Sequence, residues 1–458
     1  MFENKASWSG LLALVAISLS VLATTGAMAT VLPKKASDHT IFTTGYDGAI
    51  NTWNFNPPST LTKKHLSVNQ TGTSPSWLEF SYSVKNKVIY SADESAPGRV
   101  FAFSTSSDGQ LSPLGSSLQI QNGTSTGGDG PVAIVKGRGP SQNCIFVANY
   151  NSGTASVLKV SPKDGSLSAS NVTTDSEGNQ VVQPLTTFQF TRGDRGVGPV
   201  ADRQDHSYAH QVVVSPDGKF VYVADLGADR IHILSTKDGC DSVEVSGEVV
   251  VPDGSGPRHL AFWPPPTPLG GGLKKSGKVY AYLTSELANT LTAFEQNPKT
   301  GELTVIGEPT LATPAGEPQS GEGILPTNRT TAEVAVSKDG RFVYVSERGD
   351  MVEDHISIFS RDVQDGSVQF QKWLPSGGRM PRHFSLSTTV RPSGPSVSGL
   401  VSDIGSQYKT EEEEYVAIAH QTEGNLVIMK RDVQTGDLEI VAKADGVTSA
   451  NYAGFSPF

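Results

Sequence analysis

An internal repeat limits the possible folds of this chain more than any other feature of its sequence. Residues 210–234 read HQVVVSPDGKFVYVADLGADRIHIL, and residues 332–359 read AEVAVSKDGRFVYVSERGDMVEDHISIF. Each segment has an apolar strand, an Asp-Gly turn, a second apolar strand, a polar loop and a third, alternating strand. A fourth strand follows a Thr-Gly or Asp-Gly turn, as in KTGELTVIGE and QTGDLEIVAK. Because an Asp-Gly turn between apolar strands indicates a β-hairpin, each repeat is predicted to be a four-stranded antiparallel unit.

Seven copies of this unit occur along the chain. They are predicted at residues 40–68, 74–118, 130–170, 209–251, 257–311, 331–375 and 380–445. The first copy lacks an opening strand, and NYAGFSPF at 451–458 resembles one. We therefore predict an all-β fold, a seven-bladed β-propeller of four-stranded antiparallel blades whose ring is closed by the C-terminal strand. Such closure removes exposed sheet edges.

Two of the copies contain long insertions. The fifth carries the Pro- and Gly-rich stretch WPPPTPLGGGLKKSG between its first two strands, and the seventh carries a polar stretch at roughly 388–413. Both are predicted to be enlarged surface loops rather than linkers, so that residues 30–458 form one domain.

The N-terminal residues 1–29 are predicted to be a secretory signal peptide. They combine Lys5, an apolar run from Leu11 to Ala23 and the triplet Ala27-Met28-Ala29, which is the pattern of a cleavable leader. The alternative, a membrane anchor, is disfavoured because the run is short for a bilayer and rich in Ser and Thr. We expect a secreted, soluble mature protein that begins near Thr30 and does not contact a membrane.

Export would permit two modifications. Cys144 and Cys240 can pair in an oxidising compartment, although two cysteines so far apart in sequence do not by themselves establish a disulfide. Four Asn-x-Ser/Thr sequons are candidate glycosylation sites, and they lie at Asn69, Asn122, Asn171 and Asn328.

The composition of the chain argues against nucleic acid and structural zinc as binding partners. The formal net charge is −10, and the absence of a basic stripe argues against nucleic acid, whose phosphates need neutralising cations. Two cysteines are too few for a structural zinc site, and no metal or cofactor is predicted. We expect a monomer that acts on a small molecule.

Blade topology predicts where the functional side chains gather. In an antiparallel blade the start of strand one and the end of strand two lie on one rim, so polar residues at those positions converge on one mouth of the central channel. The large polar side chains at these positions are His206, His210, Arg258, His259, Glu333, Arg382 and His383 at strand-one entrances, and Asp225, Glu286, Glu347, Arg348 and His420 at strand-two exits.

Two arginines stand out in this set. An arginine in a crowded channel needs an anionic partner, either a carboxylate or a ligand. Arg258 and Arg348 with Glu286 and His210 are therefore predicted to form an acid–base and anion-binding site. The remaining residues predicted to bind substrate are His206, His259, Glu333, Arg382, His383 and His420. For His259 and His383, as for Asp225, structural hydrogen bonding is the alternative interpretation.

The segments AHQVVVSPDGKFVYVADLGADRI, GPRHLAF, TSELANTL and VSKDGRFVYVSERGD resemble the lactonase family of seven-bladed propellers. That family includes a bacterial-type 6-phosphogluconolactonase and the fungal carboxy-cis,cis-muconate cyclase. The resemblance covers nearly the whole mature chain, and it implies catalytic roles for His210, Arg258, Glu286 and Arg348. The chain departs from the family pattern at Glu347, where a neutral residue is expected, and in the insertion after Trp263.

These observations favour a secreted lactonase that hydrolyses sugar-derived lactones such as aldonolactones. Arg258 and Arg348 would stabilise the developing oxyanion, and Glu286 and His210 would exchange protons with water and the leaving oxygen, without a metal. A muconate cyclase, which joins a carboxylate to a diene within one molecule, is the first alternative. A non-catalytic binding propeller is the second, since a fold does not determine a function.

Overall fold

The structure is a computed structural model, and it describes residues 38–67, 72–169, 171–174, 178–265, 277–387 and 414–458. The signal-peptide prediction for residues 1–29, the sequon at Asn69, most of the fifth-copy insertion (266–276) and the insertion at 388–413 lie outside this part of the chain. The strands are β1 (His39–Gly45), β2 (Ile50–Asn56), β3 (Thr60–Ser67), β4 (Pro75–Tyr82), β5 (Lys87–Asp93), β6 (Arg99–Thr105), β7 (Leu111–Pro113), β8 (Thr124–Ser125), β9 (Pro131–Lys136), β10 (Cys144–Asn149), β11 (Thr154–Lys159), β12 (Val172–Thr174), β13 (Gln180–Val182), β14 (Thr186–Gln189), β15 (Ala209–Val214), β16 (Phe220–Asp225), β17 (Arg230–Ser235), β18 (Glu244–Val250), β19 (Pro257–Trp263), β20 (Val279–Ser285), β21 (Thr290–Gln296), β22 (Leu303–Leu311), β23 (Thr330–Val336), β24 (Phe342–Arg348), β25 (His355–Arg361), β26 (Val368–Pro375), β27 (Pro381–Leu386), β28 (Glu414–His420), β29 (Asn425–Arg431), β30 (Leu438–Asp445) and β31 (Ala450–Phe455). One short α-helix, α1 (Ser117–Asn122), and four single 3-10 turns complete the secondary structure of the described residues.

The strands form seven sheets, which are the blades of a β-propeller. Blades four to seven each consist of four consecutive antiparallel strands, β15–β18, β19–β22, β23–β26 and β27–β30. Their bounds agree with the predicted units to within a residue or two. The reason is that an Asp-Gly, Thr-Gly or Lys-Asp-Gly turn separates neighbouring strands in each unit.

The second and third blades differ from the prediction. The third blade takes its fourth strand from β14, and not from the residues before 170, because the chain after the Asp164-Gly165 turn leaves the blade. It forms the hairpin β12–β13, and β13 then pairs with β8 at the edge of the second blade. That edge is open because β7, the fourth strand of the second blade, is only three residues long and ends at Pro113, which has no N–H to extend the ladder.

The second strand of a blade buries its two alternating rows of side chains against two different neighbouring blades. On β16, Val221 and Val223 pack toward the third blade, whereas Phe220 and Tyr222 pack toward the fifth. An apolar cluster of this kind fills every junction between consecutive blades, including the junction of the seventh with the first. The period-2 pattern of the strands thus builds the whole core.

The C-terminal strand completes the first blade. β31 pairs antiparallel with β1, with Tyr452 opposite Thr44 and Phe455 opposite Ile41, and the resulting order is β3-β2-β1-β31. The predicted pairing of the tail with the first blade is therefore present, with the strand ending at Phe455. β31 holds the inner position that the first strand holds in the other blades.

The two rims of the propeller are built differently, and we name them for what they carry. The site rim is where inner strands begin and second strands end, as at Arg258 and Glu286. The turn rim is where third strands turn into fourth strands, as at Gly301 and Gly366.

One contact recurs between blades on the turn rim. A tyrosine hydroxyl on the second strand of one blade donates to the carbonyl of the turn glycine in the next blade. The pairs are Tyr90 with Gly165 at 2.7 Å, Tyr222 with Gly301 at 2.6 Å, Tyr282 with Gly366 at 2.9 Å and Tyr344 with Gly436 at 2.8 Å. Gly366 has a φ of +79°, and a Cβ there would lie 2.3 Å from the Tyr280 ring, so this turn requires glycine.

The junction of the third and fourth blades lacks this bond and contains a disulfide instead. Phe146 occupies the place of the tyrosine on β10. Cys144, two residues earlier, is bonded to Cys240, which directly follows the turn glycine Gly239. The pairing that the sequence left open is thus present, and it joins the same two segments that the Tyr–Gly bonds join elsewhere, a second strand and the turn of the next blade.

The inner strands share a β-bulge close to the site rim. In each blade one extra residue interrupts the pairing of the inner strand with the second strand, and a bulge of this kind re-aims side chains. The bulge residues are Ser76, Val132, His210, Arg258, the pair Ala332 and Glu333, Arg382 and Asn451.

Candidate active site

The centre of the site is a carboxylate held by three arginines. Glu286, which follows β20, lies with Oε2 2.8 Å from Arg258 Nε and 3.1 Å from Arg348 Nη2. Its other oxygen, Oε1, accepts a hydrogen bond of 2.8 Å from Arg203 Nη2. The structure therefore brings together three of the four residues that the sequence predicted as catalytic, and adds Arg203.

The charges of this cluster determine its protonation. Burial alone would raise the pKa of Glu286, but the charges of Arg348, Arg203 and Arg258 outweigh burial and hold it far below its usual range. Glu286 is therefore an anion at neutral pH and not a proton carrier. Burial, followed by the charge of Arg348, lowers the pKa of Arg258 to about 9, which leaves this guanidinium protonated.

His210 lies beside this cluster at the bulge of β15. Its ring is 5.5 Å from the Tyr150 ring and 5.0 Å from the His259 ring. Burial, followed by the charge of Arg258, lowers its pKa well below the ordinary value of 6.5, so the imidazole is neutral at pH 7. Its Nδ1 has no hydrogen-bond partner among the described residues. A neutral, buried imidazole with an unused nitrogen can accept a proton.

A second group of polar residues lies on the inner strands next to the arginines. His259 Nδ1 is 3.0 Å from Glu333 Oε2, and His383 Nε2 is 3.4 Å from the same oxygen. The edge of Trp77 contacts both imidazole rings, at 5.4 and 4.9 Å between ring centres. All three polar side chains are at most 8% exposed.

Arg382 belongs to a separate, more accessible triad. Its Nη2 is 2.9 Å from Glu94 Oε2, and its Nη1 contacts the hydroxyl of Tyr46. Tyr46 in turn donates to Glu94 at 2.8 Å. The triad resembles the group formed by Arg203, Tyr150 and Glu286, where Arg203 Nη2 is 3.1 Å from the Tyr150 hydroxyl.

The two other histidines predicted to bind substrate lie apart from the arginine cluster. His206 is 46% exposed, contacts Asp205 and the Tyr208 ring, and lines a surface pocket with Phe190 and Arg192. His420 is buried, and its Nε2 lies 2.9 Å from Ser376 Oγ. Asp225 has the structural role suggested for it, since its carboxylate accepts from the backbone N–H groups of Tyr208 and Ala228, both at 2.9 Å.

Glu347, which departs from the family pattern, faces away from Glu286. Arg329 Nη1 lies 3.3 Å from Glu347 Oε2 and 2.6 Å from Asp350 Oδ2. Glu347, Asp350 and His355 present ligand atoms within 4.8 Å of one another, the spacing of a metal site. The Arg329 guanidinium already supplies the cation that these groups require, so they are explained as an ion-pair network.

Sequence reasoning missed Arg203, Tyr150, Tyr46 and Glu94 as parts of the site. Glu94 and Tyr150 directly follow the second strands β5 and β10, so their position on the rim could be predicted, but they lack a neighbouring arginine in sequence. Arg203 comes from a 3-10 turn in the loop before β15, which belongs to no repeat. Its contact with Glu286 could not be read from the blade pattern.

Three sequon asparagines can be placed on the structure. Asn122, Asn171 and Asn328 are all exposed, as a glycan would require. Separately, none of the helical segments in the described residues has the length and hydrophobicity of a membrane span.

Comparison with known proteins adds a family context to this geometry. Residues 40–391 match the sequence model of the family described as lactonase, seven-bladed β-propeller. The 6-phosphogluconolactonase of Bacillus subtilis is 28% identical over 313 residues, covering 68% of this chain and 70% of that protein. A probable 6-phosphogluconolactonase of Arthroderma benhamiae is 30% identical over 334 residues, covering 71% of this chain and 70% of that protein.

A solved structure supports the fold. The periplasmic gluconolactonase of Pseudomonas aeruginosa superimposes with a TM-score of 0.68 at 22% identity, covering 92% of this chain and 99% of that one. At this level of identity the similarity bears on the fold alone.

Proposed function

Since this chain belongs to the lactonase family of seven-bladed β-propellers, we propose that it is a lactone hydrolase acting on sugar-derived lactones outside the cell. The observation that carries the proposal is the Glu286–arginine cluster next to a neutral, buried His210. The cluster holds three guanidinium groups against one carboxylate, so it can stabilise additional negative charge. The imidazole can take and return one proton.

The proposed reaction has two steps. A water oxygen attacks the lactone carbonyl carbon while His210 takes a water proton, and the carbonyl oxygen becomes an oxyanion that accepts from Arg258 and Arg348. Arg348 Nε is a buried donor without a partner among the described residues, so one N–H is available for this oxyanion. The intermediate then expels the ring oxygen, His210 returns the proton to it, and the hydroxy acid ionises to its carboxylate.

Glu286 acts in this proposal as a charge that positions the arginines. Its low pKa excludes it as a general acid or base near neutral pH, which leaves His210 as the proton carrier. Glu286 Oε2 contacts both Arg258 and Arg348 and so keeps these two cations close together. Without the carboxylate, their like charges would repel each other.

The triad of Tyr46, Glu94 and Arg382 is proposed to bind the sugar hydroxyls. A carboxylate oxygen and guanidinium N–H groups can accept from and donate to neighbouring hydroxyls, and a tyrosine ring packs against C–H groups. The Glu94 side chain is 21% exposed and that of Arg382 is 15% exposed, so a solute can reach them. His206 is proposed as an outer contact only, because it lies beyond Tyr208.

Export and glycosylation remain proposals with structural support. A disulfide between Cys144 and Cys240 is stable in an oxidising compartment and unusual in a reducing one. Three sequons are exposed. Peptide mapping of the protein from culture medium tests both, and an intact Met1 or three unmodified sequons would argue against them.

A lactonising cycloisomerase is the second candidate, and the charge of the cluster favours it. Three guanidinium groups exceed the single Glu286 carboxylate by two charges, which suits an anionic substrate as well as an oxyanion. The two reactions differ in substrate charge and in whether water is consumed.

The test is pH-stat titration of gluconolactone, cellobionolactone and muconolactone with the wild-type protein, Arg348→Ala and Arg379→Ala. Arg379 is a matched control, because it is paired with Glu423 at 2.8 Å outside the arginine cluster. We expect acid release from the sugar lactones by the wild type and Arg379→Ala, and a large loss with Arg348→Ala. Activity confined to muconolactone would favour the cycloisomerase, and no activity on any of them would contradict lactone chemistry.

A further inference from the structure

We propose that Glu333 is a positioning residue, which acts through His259 to hold the Arg258 guanidinium in the orientation that the reaction requires. This inference rests on the proposed function, and it gives the three innermost polar residues a role other than substrate binding. It is carried by a continuous series of contacts from the C-terminal strand to the arginine cluster.

The series contains four contacts. The backbone N–H of Ala453 on β31 donates to His383 Nδ1 at 3.3 Å, and His383 Nε2 lies 3.4 Å from Glu333 Oε2. The same oxygen is 3.0 Å from His259 Nδ1, and His259 Nε2 is 3.3 Å from Arg258 Nη1. The other oxygen, Glu333 Oε1, accepts the backbone N–H of Val334 at 3.0 Å.

Donor and acceptor chemistry fixes the direction of every contact. A guanidinium can only donate, so His259 Nε2 must accept and its proton must be on Nδ1, facing Glu333. A backbone N–H can only donate, so His383 Nδ1 must accept and its proton must be on Nε2, also facing Glu333. Both rings are therefore neutral and in defined tautomers. Glu333 Oε2 accepts a hydrogen bond from His259 Nδ1, and the N–H of His383 Nε2 lies near the same oxygen at 3.4 Å.

The environment supports these protonation states. Burial, followed by the charge of Arg258, lowers the pKa of His259 well below 6.5. Burial lowers the pKa of His383 to about 4. The Tyr452 ring stacks on His383 at 4.1 Å between ring centres, and the Trp77 ring lies nearly perpendicular to His383. The His259 and His383 side chains are only 2% and 8% exposed, whereas Arg258 contacts the His259 ring directly.

The consequence for Arg258 is a fixed guanidinium plane. Its Nε is held by Glu286 and its Nη1 by His259, which leaves its other N–H groups for a substrate oxygen. An oxyanion donor gains its effect from being oriented before the reaction, so loss of one holding contact is expected to lower the rate more than the binding.

The experiment replaces the carboxylate by an amide in Glu333→Gln. An amide has one acceptor oxygen and one N–H₂ group. In either orientation its N–H₂ therefore opposes an N–H that the carboxylate now faces, either the Val334 backbone N–H or the ring N–H groups, and the negative charge is lost. We expect kcat for gluconolactone to fall about ten- to a hundred-fold with KM changed less than twofold. Glu79→Gln is the matched control, since Glu79 is also a buried glutamate on an inner strand, but its Oε1 accepts from Lys136 N. It should leave both constants unchanged.

A double-mutant cycle decides whether the effect passes through Arg258. We expect Glu333→Gln to lower kcat in the wild type and to have no further effect in Arg258→Ala. An equal loss in both backgrounds, or no loss in the wild type, would overturn the proposal. If Arg258→Ala itself retains full activity, the proposed function of the arginine cluster fails, which is a different result.

A second pair of variants covers the case in which Glu333→Gln does not fold. His259→Gln can still donate to Glu333 and accept from Arg258, whereas His259→Leu can do neither. We expect His259→Gln to keep most of the kcat and His259→Leu to lose it, with similar thermal unfolding midpoints. Equal kcat values for the two variants would contradict a positioning role.

Discussion

The two rims of this propeller differ in how regularly their residues repeat from blade to blade. On the turn rim, the same tyrosine-to-glycine hydrogen bond joins four pairs of neighbouring blades. On the site rim, the bulge residues differ from blade to blade, from Ser76 and Val132 to Arg258 and Arg382. Repetition therefore marks the rim that stabilises the ring, and departure from repetition marks the rim that carries the candidate active site.

The energetics of the two rims differ accordingly. Tyr222, Tyr282 and Tyr344 each also accept from a side chain of the next blade, namely Gln296, Arg361 and Arg431, so these hydroxyls are fully used within the protein. On the site rim, His210 Nδ1 and Arg348 Nε are buried and have no hydrogen-bond partner among the described residues. Unsatisfied groups of this kind lower stability, and in the proposed reaction they are the groups that exchange a proton and hold the oxyanion.

The largest expected effect comes from the turn-rim junction of the third and fourth blades, where a disulfide replaces the tyrosine contact. The Cys144–Cys240 disulfide closes a loop with a sequence separation of 96 residues. Loop-closure entropy predicts that Cys144→Ser with Cys240→Ser lowers the free energy of unfolding by about 4.7 kcal/mol. Urea denaturation measures this loss, and kcat under native conditions should not change. Reduction of the wild type should cause the same shift, and a loss below about 1 kcal/mol would show that packing alone holds this junction.

The next effect concerns activity rather than stability. Arg348→Ala should lower kcat/KM by about 2–4 kcal/mol in transition-state free energy, the usual cost of losing an oxyanion donor. Glu286 keeps Arg203 and Arg258 as partners, so its charge is not stranded and the melting temperature should change little. A variant that unfolds, or that retains full activity, would make Arg348 a structural ion-pair partner.

A pair of hydroxyl deletions compares the rims directly. Tyr344→Phe on the turn rim leaves the Gly436 carbonyl and Arg431 Nε without a partner, and should lower the free energy of unfolding by about 1–2 kcal/mol at unchanged activity. Tyr150→Phe on the site rim removes a contact of the more exposed Arg203 and should raise KM with little loss of stability. A loss of activity in Tyr344→Phe together with a loss of stability in Tyr150→Phe would contradict the assignment of stability to the turn rim and activity to the site rim.

The smallest effect is a shift in pH dependence. Because the pKa of His210 is depressed by burial and by Arg258, the imidazole stays in its basic form until the pH falls well below 6.5. The acidic limb of kcat/KM should therefore lie below pH 6.5, with activity lost as the pH decreases through the depressed pKa and His210 becomes protonated. An acidic limb at or above pH 6.5 would point to another base.

The sequence predicts most of the fold because the information is local. Asp-Gly and Thr-Gly turns place the strands of blades four to seven, and the missing first strand points to the C-terminal tail. The prediction for the fourth strand of the third blade was wrong because the Asp164-Gly165 turn resembles the turns of the other blades. After this turn, Leu167 forms only an isolated bridge with Val160, and the chain then continues to the second blade. Such a long-range exchange between blades has no local signal.

The candidate site could be predicted only where it follows the blade topology. Arg258, Glu286 and Arg348 come together because strand-one entrances and strand-two exits share a rim. Arg203 could not be found this way, since an irregular loop delivers it. His420 occupies a rim position by sequence but turns to Ser376, since side-chain direction depends on packing that the pattern does not contain.

The bulges of the inner strands have a consequence for how such proteins diversify. Each blade offers one residue outside the hydrogen-bonded ladder, at the same height in the ring, so a substitution there changes the lining of the channel while every strand pairing is kept. If the proposed function holds, substitutions at these positions would alter substrate preference one blade at a time. Ser76 and Val132 are the positions to vary first, because they hold small side chains on blades that contribute no arginine to the cluster.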